Sequence, residues 1–248
     1  MKSLFTKKHY ITIASIGMML ALWQIAALYF NSSLIVPQPR DTIVAVFKLI
    51  TNGDFIRVAG TTLLRGLLGF FISALLGVGI GILAGINKNF NTFITPLLVT
   101  IRSVPVISLL LLALIWFSPG FVPVFIAMLT MFPFICTNVT DGIKSVDPNL
   151  IQMATFYRVK KKQILYEVYI PSIMPFIISG ASSAMGIGWR AIIIGEVLSQ
   201  PRYGIGTNMK TAQTFLNVEA VIAWTLIAIV ISFIFEKLIR WYEIKTKH

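Results

Sequence analysis

The chain has 248 residues, 56% hydrophobic and only 12% charged, with a mean hydropathy of +0.84. Soluble domains carry roughly 25% charged residues, so half that share, together with apolar runs long enough to cross a bilayer, excludes a soluble globular protein. The net charge of +12 does not point to nucleic acid, because the excess cations stand at the ends of the apolar runs, which is the positive-inside pattern.

Six apolar runs read as spans: Tyr10–Phe30, Gly60–Ile86, Thr92–Phe117, Phe121–Thr140, Pro171–Leu198 and Val218–Ile239. At about 1.5 Å per residue each can cross a ~30 Å hydrocarbon core. They must be helices, since lipid offers no partner to free backbone groups. The expected fold is therefore an all-α, polytopic membrane protein with six transmembrane helices, forming one domain over residues 1–248. The first run lacks a small-residue cleavage site, so no cleaved signal peptide is expected.

Between the first two spans, VPQPRD sets a proline turn before Thr42–Ile50, whose Ile43, Val44, Val46, Phe47 and Ile50 recur at helical spacing. This segment is too short to span and reads as an interfacial helix. Span two carries small residues at every fourth position: Gly69, Ser73, Gly77, Gly81 and Gly85. On a helix they form one smooth stripe, the kind of face that lets membrane helices approach closely. It reads as a packing face, within the subunit or against a second copy, rather than a ligand groove. Span five has a similar set, Gly180, Ser183, Ala184, Gly188, Ala191 and Gly195.

Charges inside spans are costly and need protein or water around them. Arg102 stands ten residues into span three, and Pro105 should kink that helix just beyond it. Arg102 is either an element of a pathway or a structural cation that caps carbonyls freed by Pro105 or pairs with another helix. Arg65, near the outer end of span two, is expected to snorkel. Arg190 and Glu196 are six residues apart, off one helical face, so Glu196 should find its partner on another helix or serve as a substrate or gate contact. Cys136 is a lone thiol in an apolar run, and His9 and His248 stand at the ends. No catalytic constellation, metal-ligand spacing or phosphate-binding loop is present, so no catalytic or metal residue is assigned.

Asp141–Ile170 is a long charged stretch that a bilayer excludes. Pro148–Tyr157 and Lys162–Ile170 look helical, with a break around Arg158–Lys161, and Leu150, Ile151, Ala154 and Tyr157 share a face. With the N-terminus inside, the inner segments (Lys2, Lys7, Lys8, Lys88, Lys144, Arg158, Lys160, Lys161, Lys162, Lys237, Arg240, Lys245, Lys247) hold thirteen cations. The outer loops (Arg40, Lys48, Arg57, Arg202, Lys210) hold five. That asymmetry places both termini and the 141–170 loop in the cytoplasm. Ser199–Asn217, with Gly204, Gly206 and Asn208, is an outer loop expected to fold back on the bundle.

The 141–170 segment resembles the cytoplasmic EAA loop of bacterial ABC importer permeases. Aligned back from Ile170-Pro171, Gln152 stands at the Glu position, Met153 and Ala154 at the two Ala positions, and Arg158 at the Gly position. The MPFIISG, LIVPQPRDT, TLLRGLLGF, IRSVP, IGEVL and GIGTNM stretches resemble the family in the same order, most closely the nitrate, sulfonate and taurine importers.

The resemblance implies a type I importer permease fold in a bacterial cell membrane. The 141–170 loop would supply the coupling helix, and Gln152, Met153, Ala154, Tyr157, Arg158 and Lys161 would meet the ATPase. It implies ATPase subunits that hold ATP and Mg, with no cofactor on this chain itself. It implies an extracytoplasmic solute-binding protein and a second permease, either an identical copy or a paralogue. Arg102, Pro105, Arg190 and Glu196 are the pathway candidates. The solute is expected to be a small anion such as a sulfonate, taurine or nitrate, with a vitamin or pyrimidine precursor as the alternative. An ATPase-independent transporter or channel would show an inverted repeat or a mid-span proton relay, and neither is visible. Arg158 at the Gly position is expected to forbid a left-handed turn and to bend the coupling segment differently.

Overall fold

The computed structural model describes the backbone of residues 2–246, with the side chains of residues 10–235 and Lys237. The terminal cations Lys2, Lys7, Lys8, Arg240, Lys245 and Lys247 and both histidines lie outside the described side chains. The helices are α1 (Lys2–Phe30), α2 (Pro39–Thr51), α3 (Phe55–Ile86), α4 (Lys88–Ser103), α5 (Val106–Trp116), α6 (Val122–Lys144), α7 (Pro148–Phe156), α8 (Lys161–Ile164), α9 (Ile170–Ser199), α10 (Ile205–Thr214) and α11 (Val218–Thr246). A π-helical turn, Leu165–Tyr169, joins α8 to α9. No strand occurs among the described residues. Five helical segments are long and apolar enough to cross a membrane, and the bent pair α4–α5 makes a sixth if it counts as one span.

Span three is not the kinked helix expected from its sequence. It breaks into two helices that meet at 96°. Proline has no N–H to continue a helix and pushes the residue before it out of the helical region. Val104 is accordingly extended (φ −69°, ψ 131°), as is Pro105 (φ −56°, ψ 128°). The Val104 N–H closes α4 on the Thr100 carbonyl, and the Ser108 N–H opens α5 on that of Pro105. Span five differs in the other direction. Its helix does not start at Pro171 but runs from Lys161 to Ser199. The π turn stands directly before Pro171, where a regular helix would clash with the proline ring. The interfacial segment does form a helix, α2, with Pro39 in its first turn.

The contacts divide the chain into two compact units, Met1–Arg57 with Asn208–Ile229, and Val58–Thr207 with Val230–His248. In the smaller unit the Trp23 indole N–H donates to the Pro37 carbonyl at 3.0 Å, tying α1 to the turn before α2. Phe55 stacks on Trp224 at 6.2 Å.

The larger unit is built around α6. Its Ala127, Met131, Ile135, Val139 and Ile143 form one core with Ile173, Ala184, Met185, Trp189 and Ile192 of α9. On the other side, the small-residue stripe of α3 meets α6 at backbone distance. A Cβ on Gly69 would stand 2.9 Å from Ala127 Cβ, one on Gly77 2.9 Å from Ile135 Cβ, and one on Gly81 2.8 Å from the Cys136 carbonyl; one on Gly85 would collide with Ile143. The α9 glycines do the same: Gly180 faces Asn138, Gly188 faces Met131, and Gly195 faces the Pro123 backbone at 2.8 Å. Hydroxyls tie α6 to α3 further. Ser73 Oγ is 3.0 Å from the Met128 carbonyl, and Thr140 Oγ1 is 3.2 Å from that of Gly81.

Gly77→Leu should therefore lower the thermal midpoint in detergent, by about 1–3 kcal/mol of overpacking. Gly79→Leu, on another face of the same helix with nothing within 4 Å of the added carbon, should melt like the parent. Equal midpoints for the two variants would contradict this packing.

Candidate functional site

The loop after α6 is short and well capped. Asp147 accepts the Asn149 N–H at 2.9 Å and Pro148 follows in the first turn, which starts α7 cleanly. Of the four apolar residues expected to share a face, only Ala154 is buried, at 9% exposure. Leu150 and Tyr157 point outward instead. Phe156 (82% exposed) and Tyr157 (74%) form an edge-on pair, with ring centroids 5.7 Å apart. Gln152, Met153, Arg158, Lys160, Lys161 and Lys162 are all exposed. The outer surface of α7 is thus an aromatic tip rimmed by cations.

Arg158 does take the left-handed conformation, with φ 54°. The expectation that an arginine here forbids a left-handed turn is overturned. The Arg158 N–H reaches the Thr155 carbonyl and the Val159 N–H reaches that of Ala154, both at 3.0 Å. This is a Schellman closure. Its two bonds hold a residue that carries the left-handed cost of about 1–2 kcal/mol for lack of a glycine.

At the other end of α6 and α9 lies a buried polar cluster. Glu196 is 0% exposed. Its Oε1 accepts from Arg65 Nη1 at 2.6 Å, and its Oε2 from the Gly206 N–H at 2.9 Å. The Thr62 hydroxyl is 3.0 Å from both oxygens, and its own oxygen accepts the Ile205 N–H at 2.9 Å. Arg65 is 9% exposed and does not snorkel as expected. Besides Glu196 it donates to the Tyr203 carbonyl at 2.6 Å and to that of Gly120 at 3.2 Å. Three segments are thereby tied to one ion pair: the α5–α6 turn, the end of α9 and the start of α10. Gly204 and Gly206 lie so close to Glu196 that a Cβ on either would collide with its side chain, at 2.6 Å from Cδ and 2.7 Å from Cβ respectively. Sequence reasoning found Glu196 but missed Thr62 and Arg65 as its partners. Their three-residue spacing on α3, which puts both on one face, was the available signal.

Arg102 is exposed, its guanidinium 5.0 Å from the centre of the Phe134 ring. It has no ion pair among the described residues. It opens onto a cavity of about 290 Å³ at the α4–α5 break, which Thr130, Pro133 and Phe134 of α6 and Ile187 of α9 also line. Pro105, which makes the break, is exposed, and so is Arg190. Neither Arg190 nor Glu196 lines this cavity, so the four pathway candidates do not converge on one point.

Residues 77–248 match the model of the binding-protein-dependent transport system inner membrane component. The chain belongs to that family. It is a permease subunit of an ABC importer. The permease is 32% identical over 234 residues to the putative aliphatic sulfonates transport permease SsuC of Bacillus subtilis, covering 92% of this chain and 83% of that one. It is 25% identical over 233 residues to the taurine transport system permease TauC of Escherichia coli, covering 91% and 84%. Among solved structures, an inward-facing MetNI methionine ABC transporter chain superposes with a TM-score of 0.64 at 17% identity, covering 77% of the permease and 93% of that chain. The last match concerns the fold alone.

Two outcomes test this geometry. Arg65→Ala or Glu196→Gln leaves one buried charge without its partner, which costs about 3–5 kcal/mol. Each should lower the thermal midpoint sharply, while Arg65→Met with Glu196→Leu should lose less than either alone. Single variants that melt like the parent would contradict the cluster's role. Arg158→Gly should raise stability by about 1 kcal/mol, read as a higher midpoint or slower proteolysis within residues 154–162. An unchanged or lower value would contradict the strained turn.

Proposed function

We propose that this permease pairs with a second copy or a paralogue to form the path of an importer for a small anion, driven by ATPase subunits that grip α7. The observation that carries the reading is the α7 tip. It is an exposed aromatic pair with a basic rim, held on a turn closed by the Arg158 and Val159 backbone bonds. Met153, Phe156 and Tyr157 offer apolar surface, and Arg158 and Lys161 favour an acidic rim on the partner. Ala154 packs inward beneath this tip, and Gln152 takes the polar edge. ATP and Mg belong to the ATPase subunits, and this chain contributes no catalytic group.

The excess of cations on the α7 side supports a cytoplasmic location for that loop and both termini. The binding protein then delivers solute at the opposite membrane face. The smaller unit carries a polar cavity of about 550 Å³ lined by Arg40, Asp41, Lys48 and Glu219, charges suited to a protein partner. A solute with a sulfonate head is supported by the relatives' sulfonate and taurine systems. It is also supported by Arg102 and Arg190, which form no ion pair among the described residues, whereas Arg65 is neutralised by Glu196.

Tyr157→Asp places a charge on the exposed aromatic tip, where burial against the partner without a counter-charge is costly. Affinity purification of the tagged permease should recover the ATPase with the parent and lose most of it with this variant, while the permease stays monodisperse. Full recovery with undiminished ATP hydrolysis would overturn the docking assignment.

A further inference from the structure

We propose that the cavity at the α4–α5 break is a binding site for a small organic oxyanion with a short apolar tail, and that Arg102 recognises its head. The inference rests on the importer reading and adds to it a place and a ligand chemistry. Three observations meet there. The cavity, at about 290 Å³, is at the small end of ligand pockets, which run from about 300 to 1,000 Å³. Its walls are apolar, including Leu109 and Ile187, and no acidic side chain lines it. Arg102 is its one cation and is unneutralised among the described residues.

The guanidinium lies over the Phe134 ring. None of its N–H groups meets an acceptor among the described residues, and the guanidinium fork matches the two oxygens of a sulfonate or carboxylate. The Thr130 hydroxyl donates to the Ile126 carbonyl at 2.7 Å, so Arg102 is the one lining side chain with donors left for an anion. The site therefore also selects against a zwitterion. An ammonium group would lose its water against Leu109 and Ile187 with no carboxylate to meet it, and the aromatic face is already taken by Arg102. Ethanesulfonate fits, and taurine, which adds an ammonium to the same head, fits poorly.

The test uses the importer complex, purified with its ATPase and without binding protein, in phosphatidylcholine nanodiscs. The probe is radiolabelled ethanesulfonate. The parent should bind it saturably, and taurine should compete at least about tenfold less well, as expected when a charged group is buried unpaired. Arg102→Ala should weaken binding by about tenfold or more, and Arg102→Lys by less. Leu109→Trp, which fills the cavity and leaves every charge in place, should abolish binding, and it carries the test if Arg102→Ala fails to fold. Absence of saturable binding by the parent, equal binding by Arg102→Ala, or unchanged binding by Leu109→Trp would each overturn the proposal. So would a phosphatidylglycerol that displaces the probe and is retained by the parent but not by Arg102→Ala, since the cation would then serve a lipid headgroup. Recovery of an active ATPase in the same preparation separates the two levels. With ATPase present and no probe bound, the site is wrong and the importer reading stands; with no ATPase, that reading fails.

Discussion

The larger unit depends on one constraint, the near-contact of the α6 backbone with α3 on one side and α9 on the other. Lipid chains are as apolar as leucine, so burial alone does not drive membrane helices together. What remains is dispersion at short range, which needs small residues, and the hydrogen bonds that such closeness permits. Gly69, Gly77, Gly81 and Gly85 on α3, and Gly180, Gly188 and Gly195 on α9, all face α6 where a methyl group would already collide. Ser73 and Thr140 then reach carbonyls across the α3–α6 seam, which only that spacing allows.

This clasp joins two distant features. One end of α6 leads through Ser145 and Asp147 into α7, and Val146 and Tyr169 on either side of α7 pack against the α6–α9 core. At the other end, Arg65 and Glu196 hold α3, the α5–α6 turn, α9 and the start of α10 together. A load applied at α7 is thus delivered to helices that have no soft layer between them. The softer element is the α4–α5 break, where Val104 and Pro105 are extended and a cavity opens. Rigid helices beside a broken one give a transporter a wall that changes shape while the rest moves as a block.

Some of this was readable from the residues. Periodicity and length placed most of the helices, and the four-residue period on α3 marked a smooth face before its partner was known. The partner, α6, was not legible, because its large Ile135, Val139 and Ile143 carry no mark of the glycines they meet. The sharpness of the Pro105 break was also beyond the sequence: one proline kinks many helices, and the extended Val104 beside it turned a kink into a 96° bend. Pro171 misled in the opposite sense, because a π turn absorbs it inside a continuous helix. Arg158 shows the limit of residue preference. Glycine is favoured in the left-handed region, yet two backbone bonds suffice to hold an arginine there. Glu196 announced that it needed a partner; which arginine answered depended on the arrangement of α3 and α9.

With no soft layer between them, α3, α6 and α9 should move as one body under the proposed pull of the ATPase on α7. Spin labels at the exposed Leu75 of α3 and the exposed Ser179 of α9, in the assembled importer with the buried Cys136 left unlabelled, report on this directly through pulsed dipolar distances with and without trapped ATP. One distance distribution is expected, unchanged between the two states. A nucleotide-dependent shift or a second population would contradict the single rigid body.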